Sequence, residues 1–107
     1  MEQPRELTEE EVRDNFLDHV RNMVFYWQNQ QKQGYPINDC IEGVAFSLLV
    51  AIDGGTSLGC SFILAPMPHE ENKEYNIENG ENYYPENHNS DVKCDIGGSL
   101  HEHFYKK

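Results

Sequence analysis

Basic residues are scarce in this sequence: eight Lys and Arg stand against 19 Asp and Glu, a formal net charge of −11. A protein that contacts the phosphates of a nucleic acid needs Lys and Arg gathered in a patch, and the chain contains no such patch. The same scarcity argues against an anionic membrane surface. We therefore expect neither direct nucleic-acid binding nor membrane association.

Long apolar runs and paired cysteines are also missing. No run approaches the roughly 20 apolar residues of a membrane span, and the opening MEQPRELTEEE contains no apolar signal region. Cys40, Cys60 and Cys94 are widely spaced, odd in number and without a CxxC pair, which disfavours a disulfide framework and a structural zinc site. These absences predict a cytoplasmic protein with reduced, mostly buried thiols.

Apolar residues make up only 37% of the 107 residues, which is low for a globular domain. Six Tyr, five Phe and one Trp are nevertheless too many for a disordered chain. The length suits one domain over 1–107. Within it we expect a flexible lead-in at 1–7 and an acidic, Asn/Glu-rich hairpin or loop at 66–91.

Thr8 carries strong local signals for a helix start. Thr8 and Glu11 have the spacing of a capping box, and three glutamates follow Thr8 in the first turn, where the helix dipole favours negative charge. Apolar residues then recur at steps of three and four, and Gly34 suits the position just past a helix end. The pattern predicts a helix over about 9–33.

A second, more apolar helix follows the break at Tyr35-Pro36. Asn38 or Asp39 is the expected cap, and Asp53-Gly54-Gly55 is the expected stop. Because apolar residues surround this helix nearly completely, we expect it to be buried on more than one side. The link between the helices is short, which predicts an antiparallel pair.

The remainder predicts a small antiparallel sheet. Residues 60–65, CSFILA, form a short apolar run typical of a strand, which makes Cys60 a core thiol. Asn79-Gly80 indicates a hairpin over about 74–84, with an ordered loop as the alternative. Ser99 and Glu102 indicate a C-terminal helix over about 99–106. The expected fold is α+β: an antiparallel helix pair and a short C-terminal helix, packed on this sheet.

The expected core is small. It comprises the apolar positions of the two long helices and of the first strand: Phe16, Val20, Met23, Val24, Trp27, Val44, Leu48, Leu49, Ile52, Phe62 and Leu64. Leu100 and Phe104 should dock on the helix pair. A core of this size makes a homodimer that buries more of the second helix an open alternative.

No catalytic constellation stands out. The serines lie in no nucleophile-elbow context. The glycines at Gly54-Gly55 follow a helix, whereas a phosphate-binding loop precedes one. We therefore expect a protein that is not an enzyme and uses no cofactor.

Histidine and cysteine near the C-terminus define the alternative to a protein-binding role. Cys94, Asp95, His101 and His103 are close in sequence, which allows a metal-binding or small-ligand-binding module. Their spacing matches no familiar zinc site, and two histidines two residues apart on a helix point away from each other. No metal ligand is therefore assigned.

The carboxylates of 66–91 are the most informative feature. Five glutamates there, together with two adjacent tyrosines, form the expected partner-binding set: Glu70, Glu71, Glu74, Glu78, Glu81, Tyr83 and Tyr84. One interpretation is that the charge only keeps a small protein soluble. The other is that it forms an anionic face for a host protein with a basic surface, with the tyrosines as anchors.

The segments EGVAFSLLVAIDGG, MPHEENKEYNIENGENYYPEN and CDIGGSLHEHFYK, in this order, resemble those of short bacteriophage and prophage proteins with no established activity. The resemblance covers most of the chain after residue 38 and assigns no catalytic residue. It implies a bacterial or phage origin and an accessory role. By analogy with small acidic phage proteins that imitate nucleic-acid charge, such a role includes inhibition of a nucleic-acid-handling or defence enzyme.

Overall fold

A computed structural model describes residues 4–85, Val92 and residues 94–105. Across these residues the regular structure consists of four helices: α1 Glu9–Lys32, α2 Ile37–Asp53, α3 Asn72–Glu78 and α4 Leu100–His103. The long helices α1 and α2 form the body of the molecule, because α1 packs on α2 and α2 also packs on α4.

Helix α1 begins and ends where the sequence predicts. The Thr8 hydroxyl accepts the backbone N–H of Glu11, and the Glu11 carboxylate accepts the backbone N–H of Thr8, at 3.1 and 3.0 Å. Arg5 reaches the same carboxylate at 2.8 Å. Gly34 lies one residue past the cap with φ of +108°, so the predicted capping box and helix end are both confirmed.

Helix α2 ends as predicted but begins differently. Its last residue is Asp53, and Gly54 follows in the left-handed conformation. The N-cap is Pro36, which makes no side-chain capping bond, so the prediction that Asn38 or Asp39 caps the helix is wrong. The carbonyl of Pro36 accepts the backbone N–H of Cys40 at 3.1 Å, so the helix already includes Asn38 and Asp39 in its first turn.

The two long helices run antiparallel. The indole N–H of Trp27, near the end of α1, donates to the hydroxyl of Ser47 at 3.0 Å. At the other end of the pair, one apolar groove is lined by Val12 and Phe16 from the start of α1 and by Ile52 from the end of α2. The four-residue link between the helices leaves room only for a reversal of direction.

The predicted sheet is wrong: the described residues contain no strand. Residues 60–65 form no strand and pair with none. Instead, Phe62 N–H donates to the carbonyl of Ile52 at 2.8 Å, and Leu64 N–H donates to the Asp95 carboxylate at 2.9 Å. Because these donors are satisfied by a helix end and by a side chain, no ladder forms. Cys60 is exposed, so it is not a core thiol.

The predicted hairpin over 74–84 is also wrong, because α3 occupies its first half. A two-residue hairpin turn of the Asn-Gly type needs positive φ at both residues. Asn79 has φ of −94° and caps α3, and only Gly80 is left-handed, with φ of +70°. Asn-Gly therefore ends a helix here, since that end also requires one residue with positive φ.

The C-terminal helix is shorter than predicted and packs on α2. Its contact with α2 is aromatic: the ring of Phe46 lies 5.8 Å from His101, 6.3 Å from Phe104 and 5.7 Å from Tyr105. Leu100 is half-buried and Phe104 remains 38% exposed. The tail is thus docked, but less deeply than expected.

The expected core is only partly enclosed. Most of its members are half-buried, and Val24 and Leu64 are exposed. Counting backbone and side chain together, only Cys40, Gly43 and Ala51 are buried among the described residues. The molecule is flat, 53 × 46 × 20 Å, with a radius of gyration of 18.1 Å, against about 13 Å for a compact chain of this length. Within the described part, no helix is long and apolar enough to cross a membrane.

Candidate protein-binding surface

The predicted partner-binding residues lie on one segment, residues 66–85, which we name the acidic arm. Glu74 and Glu78 belong to α3, Glu71 is its N-cap, and Glu70 and Glu81 lie just outside its two ends. Tyr83 and Tyr84 follow in irregular chain. All seven predicted residues are exposed.

The end of the acidic arm folds back on its beginning. After α3 the backbone N–H of Glu81 donates to the carbonyl of Asn76 at 2.8 Å, which turns the chain back. The ammonium of Lys73 then lies 5.4 Å from the centre of the Tyr83 ring, a cation–π contact. Tyr84 reaches the start of the arm, where it lines a groove of about 240 Å³ with Pro66, Met67, Pro68 and Asn72.

The aromatic side chains of the acidic arm are not used to build a core. Tyr75 is 65% exposed and Tyr84 71% exposed. Helix α3 packs against none of the other helices in the described part of the chain. The arm therefore presents carboxylates and tyrosines together on a surface against which no other described helix packs.

Charge within the acidic arm is nearly all of one sign. Lys73 is the only Lys or Arg between residues 66 and 85, and it already faces Tyr83. Glu74 and Glu78 are one turn apart on α3, and such a like-charge pair destabilises a helix by about 0.2–0.5 kcal/mol. A cationic group placed beside this pair would remove that cost.

A second polar cluster joins the end of α2 to α4. One Asp53 carboxylate oxygen accepts the backbone N–H of Gly98 at 2.7 Å. The other accepts the backbone N–H of His101 at 2.8 Å and lies 2.5 Å from Nδ1 of the His101 ring. Asp53 thus satisfies free amides at the start of α4, and its side chain is only 1% exposed.

These hydrogen bonds determine the charge of Asp53. Burial by itself raises the pKa of the carboxyl, but the donors from His101, Leu100 and Gly98 lower it more, so that the pKa of Asp53 lies well below its usual range. A negative charge at the C-terminal end of α2 is unfavourable for that helix. The charge is favourable at the N-terminus of α4, where the Asp53 carboxylate, supplied by α2, accepts backbone N–H groups.

Two residues of the alternative, metal-binding interpretation, Asp95 and His101, already bond to other groups of the protein. Asp95 accepts the backbone N–H groups of Leu64 and Gly97, both at 2.9 Å. His101 is held by Asp53, and His103 lies on the same short helix. Among the described residues, no group of three His, Cys, Asp or Glu side chains is placed to hold a metal ion.

Sequence reasoning missed the anchor at Asp53 and the close approach of Gly43 to Trp27. From its sequence neighbours Asp53 is interpreted only as part of a helix end, because its hydrogen-bond partners lie 45 and 48 residues away along the chain. From the sequence alone, Gly43 is interpreted as a residue that weakens an apolar helix. A small residue inside a strongly apolar helix is nevertheless a signal of close packing, and it was available in the sequence.

The chain matches no family model, no curated protein and no solved structure. Its function is therefore inferred from the chemistry of its own surfaces.

Proposed function

We propose that this protein is a non-enzymatic accessory factor that binds the basic surface of another protein through its acidic arm. The observation that supports this most directly is that the tyrosines of the arm are exposed and that α3 packs on none of the other described helices. Tyr is enriched among the residues that dominate binding energy at protein interfaces. A solubilising segment needs charge but does not need exposed rings.

The carboxylates and the tyrosines have separate roles in this proposal. Glu74, Glu78 and Glu81 attract the partner over distance and set its orientation, since opposite charges accelerate diffusional encounter. Tyr84 and Tyr75 lose water on contact and hold the complex together. A host enzyme that handles nucleic acid has a basic surface of this kind, and occupation of that surface would inhibit it.

The partner is found by capture from a bacterial host lysate with three baits. The first is the wild-type protein, and the second is the arm variant Glu74→Gln/Glu78→Gln/Glu81→Gln. The third is a control with the same change of three charges on α1, Glu10→Gln/Asp14→Asn/Asp18→Asn, whose side chains are also exposed. A specific partner is retained by the wild type and the control and lost from the arm variant.

With that partner purified, stopped-flow measurement of the association and dissociation rates separates the effect of the carboxylates from that of the tyrosines. We expect the arm variant to associate about 10-fold more slowly at low salt, because electrostatic steering is reduced. Tyr84→Ala should instead raise the dissociation rate about 10-fold or more, as loss of an interface anchor does. If the arm variant associates as fast as the α1 control, the charge of the arm serves solubility alone.

A further inference from the structure

A continuous apolar face lies between α1 and α2. It contains two grooves, of about 680 and 280 Å³. The larger is lined by Val12, Leu17, Leu48 and Ile63, among others, and the smaller by Val24 and Ile41. Ile63 is 66% exposed and Ile41 63% exposed.

Helical spacing places both grooves on one side of the helix pair. Leu17 and Val24 are seven residues apart on α1, and Ile41 and Leu48 are seven apart on α2. Residues at this interval lie on the same face of a helix. The two grooves therefore form one apolar face along the length of the antiparallel pair.

The accessible surface of the chain shows how much is left uncovered. It is 8958 Å², whereas a folded chain of 12.4 kDa exposes about 6,100 Å². The excess is about 2,800 Å². Twelve residues lie outside the described part, and in a fully unfolded chain they would expose about 2,000 Å². If all of that area is subtracted, about 800 Å² of excess remains. Obligate homodimers bury about 1,000–2,500 Å² per chain, an area that lies between these two values of the excess.

We propose that this face is covered by a second copy of the chain, which gives a homodimer with a four-helix bundle at its centre. Two antiparallel helix pairs stacked face to face form such a bundle and enclose their apolar sides. The rim is self-complementary, because Glu9 and Arg13 both border the larger groove. A two-fold axis that sets this rim against its copy would bring the Glu9 carboxylate of one chain near the Arg13 guanidinium of the other. Within the described part of its own chain, Arg13 contacts only exposed carboxylates, those of Glu10 and Asp14, at 3.6 and 3.7 Å.

The net charge makes the dimer depend on salt in a characteristic way. Two chains of net charge −11 repel each other, and added salt screens that repulsion. The dimer should therefore tighten as salt rises. Binding of a basic partner to the acidic arm should weaken under the same change, so the two proposals fail independently.

Sedimentation velocity of the full chain at 1–50 µM and rising NaCl tests the proposal. We expect twice the mass of one 12.4 kDa chain, with a dissociation constant that falls as salt rises. Ile41→Glu should raise that constant at least 10-fold, and Ile63→Glu, outside any helix, should do the same. Circular dichroism confirms that each variant keeps its helices.

Phe25→Glu is the matched control. Phe25 is also 63% exposed, but it lies nine residues from Phe16, half a turn around α1, and lines neither groove. It should leave the dimer intact. The proposal is wrong if the wild-type chain sediments as a monomer at 50 µM. It is also wrong if Ile41→Glu and Ile63→Glu leave the dimer unchanged, or if only Phe25→Glu disrupts it.

Discussion

Gly43→Ala is expected to lower the free energy of unfolding by about 1–3 kcal/mol, the usual cost of overpacking. A Cβ at this position would lie 2.5 Å from carbons of the Trp27 indole, closer than any contact between carbon atoms permits. In an exposed helix interior the same change stabilises by roughly 0.5–1 kcal/mol, because alanine is the better helix former. The sign of the effect therefore tests how closely α1 and α2 approach.

Trp27 cannot easily move aside. Its indole N–H is bonded to Ser47, one turn from Gly43 on α2, and its ring packs edge-on against Tyr26 at 5.2 Å. Trp27→Phe shortens the side chain and makes room for the new methyl group. The double variant Gly43→Ala/Trp27→Phe should therefore lose less stability than the two single variants together.

Urea unfolding followed by far-UV circular dichroism measures all four proteins of this cycle. One chain concentration is used throughout, because an association equilibrium makes apparent stability depend on concentration. A Gly43→Ala protein as stable as the wild type, or more stable, would contradict the close approach of the two helices.

Asp53→Asn is expected to release α4 from α2 and to lower the melting temperature by at least about 5 °C. Asn keeps the size of the side chain but removes the charge and replaces one acceptor oxygen with a donor. Because Gly98 and His101 donate to different oxygens of the carboxylate, that donor would face the N–H of one of them whichever way the amide is turned. Amides left without an acceptor destabilise a buried site.

Acid should reproduce this effect in the wild-type protein. Because the pKa of Asp53 is lower in the folded chain than in the unfolded one, its contribution is fully present above about pH 4 and is lost as pH falls further. Glu11 acts in the same direction, since its hydrogen bonds with Arg5 and Thr8 lower its pKa to about 2. Asp53→Asn should remove part of the acid sensitivity, and Glu11→Gln a separate part.

Melting temperatures between pH 7 and pH 3, with amide hydrogen exchange at Gly98 and His101, measure the loss of the anchor. Glu102→Gln is the control, because it removes one exposed carboxylate from the same helix. If Asp53→Asn melts like Glu102→Gln and those amides stay protected, Asp53 does not hold α4.

The sequence by itself determined the elements whose signals are local. Helix α1 was predictable from Thr8 to Gly34, because a capping box, an apolar period and a terminal glycine all act within one or two turns. The end of α2 was predictable for the same reason. The acidic arm was predictable as a charged, tyrosine-containing segment, because composition alone defines it, and its role as a binding site remains a proposal.

Only the tertiary structure decided which backbone groups pair and which surfaces stay open. Residues 60–65 have the composition of a strand, but a strand forms only when its backbone bonds to a neighbouring strand. Here the N–H groups of Phe62 and Leu64 instead donate to Ile52 and Asp95. Asn79-Gly80 allows a hairpin or a helix end, and α3 decided between them. The anchor at Asp53 depends on chain segments brought together by packing, which no local pattern specifies. Gly43 indicates close packing from the sequence alone, but only the fold identifies Trp27 as its neighbour.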